Sequence, residues 1–155
     1  MSVIESLLKD LNIHVSTFDD GCGIRSLYEG SRTKNLFLID KQHGLFLITT
    51  MPERDINLKI IGNLLGLYGS KLRFVDEDFL MDKLKINGKL LNPFALINDT
   101  ENNITCCIDN ELLNQSFIHI RPLQYDRTTS ITPTDLLAFL EHVNHKPTIL
   151  TFRTY

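Results

Sequence analysis

Lys34 and Asn35 stand side by side at the mouth of an apolar run, Leu36-Phe37-Leu38-Ile39. A cation whose base is fixed by a core suits a bound phosphate, or the charge that develops on a carbonyl oxygen. Taken alone, a lysine beside a strand reads as a solvated edge charge. Asn35 offers an amide donor and acceptor, or simply ends the preceding loop. A second group is Gly88, Lys89, Asn92, Pro93 and Phe94. Pro93 confines Asn92 to extended geometry and removes one donor. Such a loop can aim backbone groups at a small ligand, although composition equally allows a plain strand entry. His119 and Arg121 form a third group, two apart on an expected strand and therefore on one face. They offer an acid or base and a phosphate clamp. An exposed polar face of an edge strand is the competing reading.

Other residues carry weaker signals. His142 and His145 lie near a helix end and read as partners of its dipole or of solvent. Cys22, between two glycines, has no His or Asn partner that marks it as a nucleophile. Cys106-Cys107 is too tight for a metal pair, and no His or Cys pair has zinc spacing. No G-x-S-x-G elbow, P-loop or G-x-G-x-x-G is present. No metal or cofactor is expected.

The elements that must hold these groups follow from periodicity. Ile4, Leu7, Leu8 and Leu11 make one helical face, with Ser2 and Glu5 at capping-box spacing. A short strand is expected at His14 to Thr17, then a loop from Asp19 to Ser31 with a helical turn near Arg25 to Tyr28. Lys34 to Asp40 and Leu45 to Met51 read as a hairpin turning at Gly44 and covered on both faces. Asp55 is the expected cap of a helix burying Ile56, Ile60, Ile61, Leu64 and Leu65. Leu72 to Val75 reads as a strand, and Asp76 as the cap of a helix carrying Phe79, Leu80 and Leu84 inward. Phe94 to Ile97, Ile104 to Ile108 and Phe117 to Leu123 read as strands. Thr132-Pro133 starts a last helix with Leu136, Leu137, Leu140 and Val143 on its apolar face. Thr148 to Phe152 closes the chain as a strand. Helices interleaved with hairpin-joined strands imply an α+β fold with a mixed, largely antiparallel sheet.

A chain of 155 residues suggests one domain spanning 1–155. Its 43% hydrophobic and 23% charged residues are ordinary for a soluble protein. Apolar runs such as Leu45 to Ile48 are too short to span a bilayer, and the start lacks a signal-peptide pattern. Three cysteines build no disulfide framework, so reduced thiols in a cytoplasm are expected. A net charge of −3 argues against a general nucleic-acid binder. An enzyme touching one RNA end and a few phosphates remains compatible, with strong salt dependence.

Three ordered blocks carry a resemblance. They are Thr33-Lys34-Asn35-Leu36-Phe37-Leu38-Ile39-Asp40-Lys41, then Pro93-Phe94-Ala95-Leu96-Ile97-Asn98-Asp99, then Ile131 to Leu140. From about Thr33 to Phe152 the chain resembles the editing domains related to the insertion domain of bacterial prolyl-tRNA synthetase, the YbaK/ProX-type deacylases. The resemblance implies a strongly curved mixed sheet packed by helices. It implies hydrolysis of the ester in mischarged tRNA, commonly alanyl-tRNA with the proline anticodon. It implies Lys34 and Asn35 as catalytic residues, and Gly88, Lys89, Asn92, Pro93, Phe94, His119 and Arg121 at the substrate. The implied partners are the tRNA acceptor end and prolyl-tRNA synthetase. No membrane is expected from the short apolar runs, and a monomer is expected because no element carries a surplus apolar face.

The sequence also departs from the family pattern. Lys89 occupies the expected glycine position, with Gly88 one place early. Ile120-Arg121-Pro122 stands where F-H-P is usual, so Arg121 replaces the histidine. The segment from Phe18 to Thr33 lacks the usual H-P-x-x-x-T stretch. These departures motivate a non-catalytic reading, but retention of Lys34 and Asn35 favours a trans-editing deacylase. A degenerate relative that only binds the tRNA end is the second, and a hydrolase of another small ester the third. The deacylase reading predicts that Lys34, Asn92 and Arg121 line one cleft.

Overall fold

The computed structural model describes residues 3–19, 29–69, 71–125 and 127–152. The expected turn at Arg25 to Tyr28, and Cys22, lie outside these residues. Helix α1 spans Val3–Asp10 and buries Ile4 and Leu8, as its periodicity predicts. Strand β1 is Ser16–Asp19, two residues later than expected.

β2 (Lys34–Asp40) and β3 (Gly44–Thr50) form the antiparallel hairpin. Its turn is set by Gly44 at φ +94°, a conformation favouring glycine. Asp40 Oδ1 locks the same turn, accepting from the Gln42 and His43 amides at 2.8 and 3.1 Å and from His43 Nδ1 at 2.9 Å. The hairpin is the middle of a five-stranded sheet of order β4-β2-β3-β5-β8, with β4 at Arg73–Phe74, β5 at Ile104–Asp109 and β8 at Thr148–Leu150. The β3–β5 and β5–β8 pairs are parallel. A second, antiparallel sheet has the order β1-β7-β6, with β6 at Ile118–Ile120 and β7 at Arg127–Ile131.

The two-residue period sorts the hairpin's apolar run onto two faces. Phe37, Leu45 and Leu47 join the larger cluster with Ile4, Leu8, Ile118, Ile131 and Phe139. Leu36, Leu38, Phe46 and Ile48 join a smaller cluster with Ile61, Leu72 and Leu150. β5 divides its thiols the same way, Cys106 into the first cluster and Cys107 into the second. Burial pushes both thiols up, Cys107 to about 12.

α2 (Leu58–Leu64) differs from expectation. Its cap is Asn57, whose Oδ1 accepts from the Lys59 and Ile60 amides at 3.0 and 3.2 Å. Ile61 and Gly62 are inside, while Ile60 and Leu64, expected in the buried stripe, are exposed. Asp76 caps α3 (Glu77–Leu84), and Leu80 and Leu84 are buried as expected. Thr132 caps α4 (Pro133–His142), which buries Leu136, Phe139 and Leu140. Phe94 and Phe139 meet edge-to-face with centroids 5.1 Å apart.

Residues Pro93–Asn98 are a 3₁₀ turn, not the expected strand. Asn92 supplies the reason: its Oδ1 accepts from the Phe94 amide at 2.9 Å, and Pro93 follows with φ suited to a helical start. The strand expected through Leu123 ends at Ile120, and Leu123 takes φ +58°. β7 has no counterpart among the strands expected from the sequence. Its Thr128, Thr129 and Ser130 are polar yet buried, and Thr17 Oγ1 meets Thr129 Oγ1 at 2.8 Å. Of the two roles expected for His145, the helix-end contact is present and the solvent one is not. The side chain is buried, with Nε2 2.8 Å from Asp99 Oδ2 and Nδ1 2.6 Å from the Val143 carbonyl.

Candidate functional site

A small cleft of about 130 Å³ opens where β2 begins, between the Asn92 loop and the end of β6. Asn35, Lys89, Asn92, His119 and Arg121 line it, as do Arg32 and Thr33. Three cations and two amide side chains thus converge on a hollow whose lining holds no carboxylate. Such a lining suits an anionic ligand that also carries hydrogen-bonding groups.

Each wall has a local cause. Asn35 is fixed by two hydrogen bonds: Nδ2 donates to Thr33 Oγ1 at 3.1 Å, and Oδ1 accepts from the buried Thr49 hydroxyl at 2.8 Å. Asn92 is buried and ties two walls together. Its Nδ2 donates to the Leu90 and Arg121 carbonyls at 3.1 and 2.9 Å, while its Oδ1 caps the 3₁₀ turn. His119 is buried, with Nδ1 2.8 Å from Ser130 Oγ on β7. The strand-edge reading therefore fails for His119, because β7 and the Gly30–Ser31 segment cover it. The Ser31 amide donates to the Phe117 carbonyl at 3.0 Å, and the His119 amide to the Ser31 carbonyl at 2.8 Å. A Cβ on Gly30 would lie 2.1 Å from the Phe117 carbonyl oxygen, so only glycine permits this approach. Arg121 Nη1 reaches toward the Arg127 carbonyl at 3.4 Å.

Lys34 does not line this cleft with Asn92 and Arg121. As its neighbour on a strand, it points to the opposite face from Asn35, and its Nζ donates to the Arg54 carbonyl at 2.6 Å. Arg54 in turn pairs with Asp109, whose side chain is fully buried. Asp109 accepts from Arg54 Nε and Nη2, and from the Met51 and Glu111 amides at 3.1 and 3.0 Å. The hydrogen bond to Asp109 raises the Arg54 guanidinium above its ordinary value. Arg54 also lies 4.5 Å over the Phe152 ring. This clamp fixes the carbonyl that receives Lys34.

Among the other expected residues, Pro93 and Phe94 are buried behind the cleft and build its loop from below. Gly88 is exposed, and its amide donates to Glu77 rather than into the cleft. Arg32, Gly30 and Ser130 were missed by sequence reasoning. Arg32 directly precedes Thr33-Lys34-Asn35 and Gly30 lies three residues before Thr33, and that proximity was an available signal. Ser130 had none, since only the β6–β7 pairing brings it to His119. Among the described residues, no group of three His, Cys, Asp or Glu is placed to hold a metal ion. No helix among them is long and apolar enough to cross a membrane.

Residues 14–139 match the sequence profile of the aminoacyl-tRNA editing domain. The chain belongs to this family. It is 36% identical over 159 residues to prolyl-tRNA synthetase associated domain-containing protein 1 of Danio rerio, covering 96% of this chain and 85% of that protein. The Bos taurus protein of the same name is 33% identical over 127 residues, with 80% and 74% covered. The prolyl-tRNA editing protein ProX of Acetoanaerobium sticklandii is 30% identical over 106 residues, covering 66% of this chain and 62% of that protein. The fold matches a solved structure provisionally described as a trans-editing enzyme for prolyl tRNA synthetase, at TM-score 0.70 and 12% identity over 100% of this chain and 99% of that one. It also matches the hypothetical protein APE2540 at TM-score 0.69 and 14% identity, with 95% and 97% covered. At these identities the structural matches speak for the fold alone.

Proposed function

We propose that this chain is a trans-editing hydrolase that removes a wrongly attached small amino acid, alanine first among them, from tRNA. One observation carries the reading: a carboxylate-free cleft in which Arg32, Lys89 and Arg121 surround the fixed amides of Asn35 and Asn92. The cations would take the phosphates of the terminal nucleotides. Asn35 and the Asn92–Pro93 loop would orient the aminoacyl ester. Water attacks the ester carbonyl carbon, the carbon–oxygen bond to the ribose breaks, and the ribose hydroxyl leaves with a proton. The vicinal hydroxyl of the tRNA can position that water, so no protein nucleophile is required. Orientation of this kind supplies up to about 7–11 kcal/mol of the barrier. Size exclusion by the narrow cleft would select small side chains, each methylene giving about 10–200-fold discrimination. Lys34 would contribute its ammonium by swinging round the first residue of β2, from the Arg54 carbonyl to a phosphate at the mouth of the cleft.

The protein acts in this reading as a single-domain cytoplasmic monomer alongside prolyl-tRNA synthetase. A second reading, a module that binds the tRNA end without hydrolysis, draws on the engagement of Lys34 with the Arg54 carbonyl. Deacylation of alanyl-, seryl-, threonyl- and cysteinyl-tRNA by wild type and Lys34→Ala separates the two. Rapid release from one substrate, lost in the variant, supports the enzyme. No release from any of them, with tRNA binding intact, supports the module.

A further inference from the structure

We propose a second anion site, remote from the cleft, that holds the phosphate backbone of the tRNA acceptor stem; this rests on the tRNA-editing reading. It is the hollow of about 480 Å³ lined by Asp40, Lys41, Gln42, Gly69, Lys71 and Arg73, between the β2–β3 turn and the chain entering β4. Lys41, Lys71 and Arg73 are all exposed. None of their side chains makes an ion pair or hydrogen bond with another described residue.

The hollow's one carboxylate does not neutralise them. Asp40 is turned inward onto His43 and two backbone amides, which hold it below the ordinary carboxylate range. The chain as a whole carries −3, so three neighbouring unpaired cations are a local reversal of sign and not a sample of a basic surface.

Topology relates this hollow to the cleft. Ile39 pairs directly with Arg73 across β2 and β4, so their side chains share a face. Asn35 lies four residues before Ile39 on the same strand and on that same face. At about 3.3 Å per residue, the two sites are roughly 13–17 Å apart along β2. Phe37 closes the strand face between them, so a polyanion whose end enters the cleft passes over the outside of the protein to meet the cations beyond the terminal nucleotides. Single lysines and arginines at such spacing match a repeating phosphate chain, each neutralised phosphate releasing counterions.

The test uses Lys41→Ala/Lys71→Ala/Arg73→Ala in the full chain, with two substrates: aminoacylated tRNA and an aminoacylated CCA-end oligonucleotide too short to reach the hollow. The expected result is at least a tenfold loss of kcat/KM on tRNA, carried by KM, with the short substrate unaffected. The slope of log binding constant against log salt for uncharged tRNA should also fall, by about 0.7–0.9 for each phosphate that is no longer neutralised. Unchanged tRNA affinity and an unchanged salt slope overturn the proposal, as does equal loss on both substrates. If wild type hydrolyses neither substrate, the deacylase reading fails alone: the salt slope still decides the anion site.

Discussion

Asn92 Nδ2 donates to the backbone carbonyl of Arg121 at 2.9 Å, joining two segments 29 residues apart in the chain. The same side chain caps the turn that begins at Pro93. One buried amide thus sets both the height of the loop and the strand end facing it. Asn92→Ala removes three hydrogen bonds and leaves two carbonyls and one amide without this partner. It should cost about 1–3 kcal/mol of stability, read by urea denaturation. Deacylation should fall more than stability explains, and Asn92→Asp, which keeps the cap but not the donor, should fall between the two. Equal activity in all three would dissociate the loop from the site.

Lys34 and Asn35 test the two faces of β2 separately. Asn35→Ala should lower kcat/KM at least tenfold, equivalent to about 1.4 kcal/mol of barrier. Lys34→Ala should lower it by a comparable or larger factor, and Lys34→Arg should restore part of it. A Lys34→Ala protein with full activity and a reduced melting temperature would assign this lysine to holding the Arg54 segment alone.

The clamp behind Lys34 makes a stability prediction. Asp109→Ala leaves the Arg54 guanidinium and two backbone amides without their acceptor, and should cost about 3–5 kcal/mol, the range for breaking a buried ion pair. Chemical denaturation with an unchanged m-value checks this. A cost below about 1 kcal/mol would mean that solvent replaces the carboxylate.

The β2–β3 turn makes a pH prediction. Hydrogen bonding, first from His43, holds Asp40 below its ordinary value of 3.8 in the folded state. Its contribution is therefore present above that value and is lost as pH falls through the lower folded value. Wild type should exceed Asp40→Asn in stability near neutral pH, and the gap should narrow below about pH 4. A gap that is constant across the acid range would remove the charge from the explanation.

The elements with strong periodicity or caps were legible in the sequence: α1, the β2–β3 hairpin, α3 and α4 with its Thr132-Pro133 start. What escaped was decided by single side chains. Asn57 took the cap expected of Asp55, and Asn92 turned an apolar strand-like run into a 3₁₀ turn. β7 reads as polar because its threonines and serine find partners across the sheet instead of solvent. Of the site, Asn35 lies in a block that carries the family likeness, Asn92 was legible from the proline that follows it, and His119 and Arg121 from their two-residue spacing on a strand. The side to which Lys34 turns could not, since it depends on where the Arg54 carbonyl is held by a residue 55 positions away.

Cys106 and Cys107 are adjacent, buried on opposite faces of the interior strand β5, and both resist ionisation. A thiol reagent reaches neither until the sheet itself parts. With Cys22 replaced by serine, the two therefore become a clock that starts only when a face opens. Cys107 answers for the face covered by α2, and Cys106 for the face that carries the second sheet. Labelling rates compared at these neighbours would say which half of the molecule breathes first, and whether bound tRNA slows one side or both.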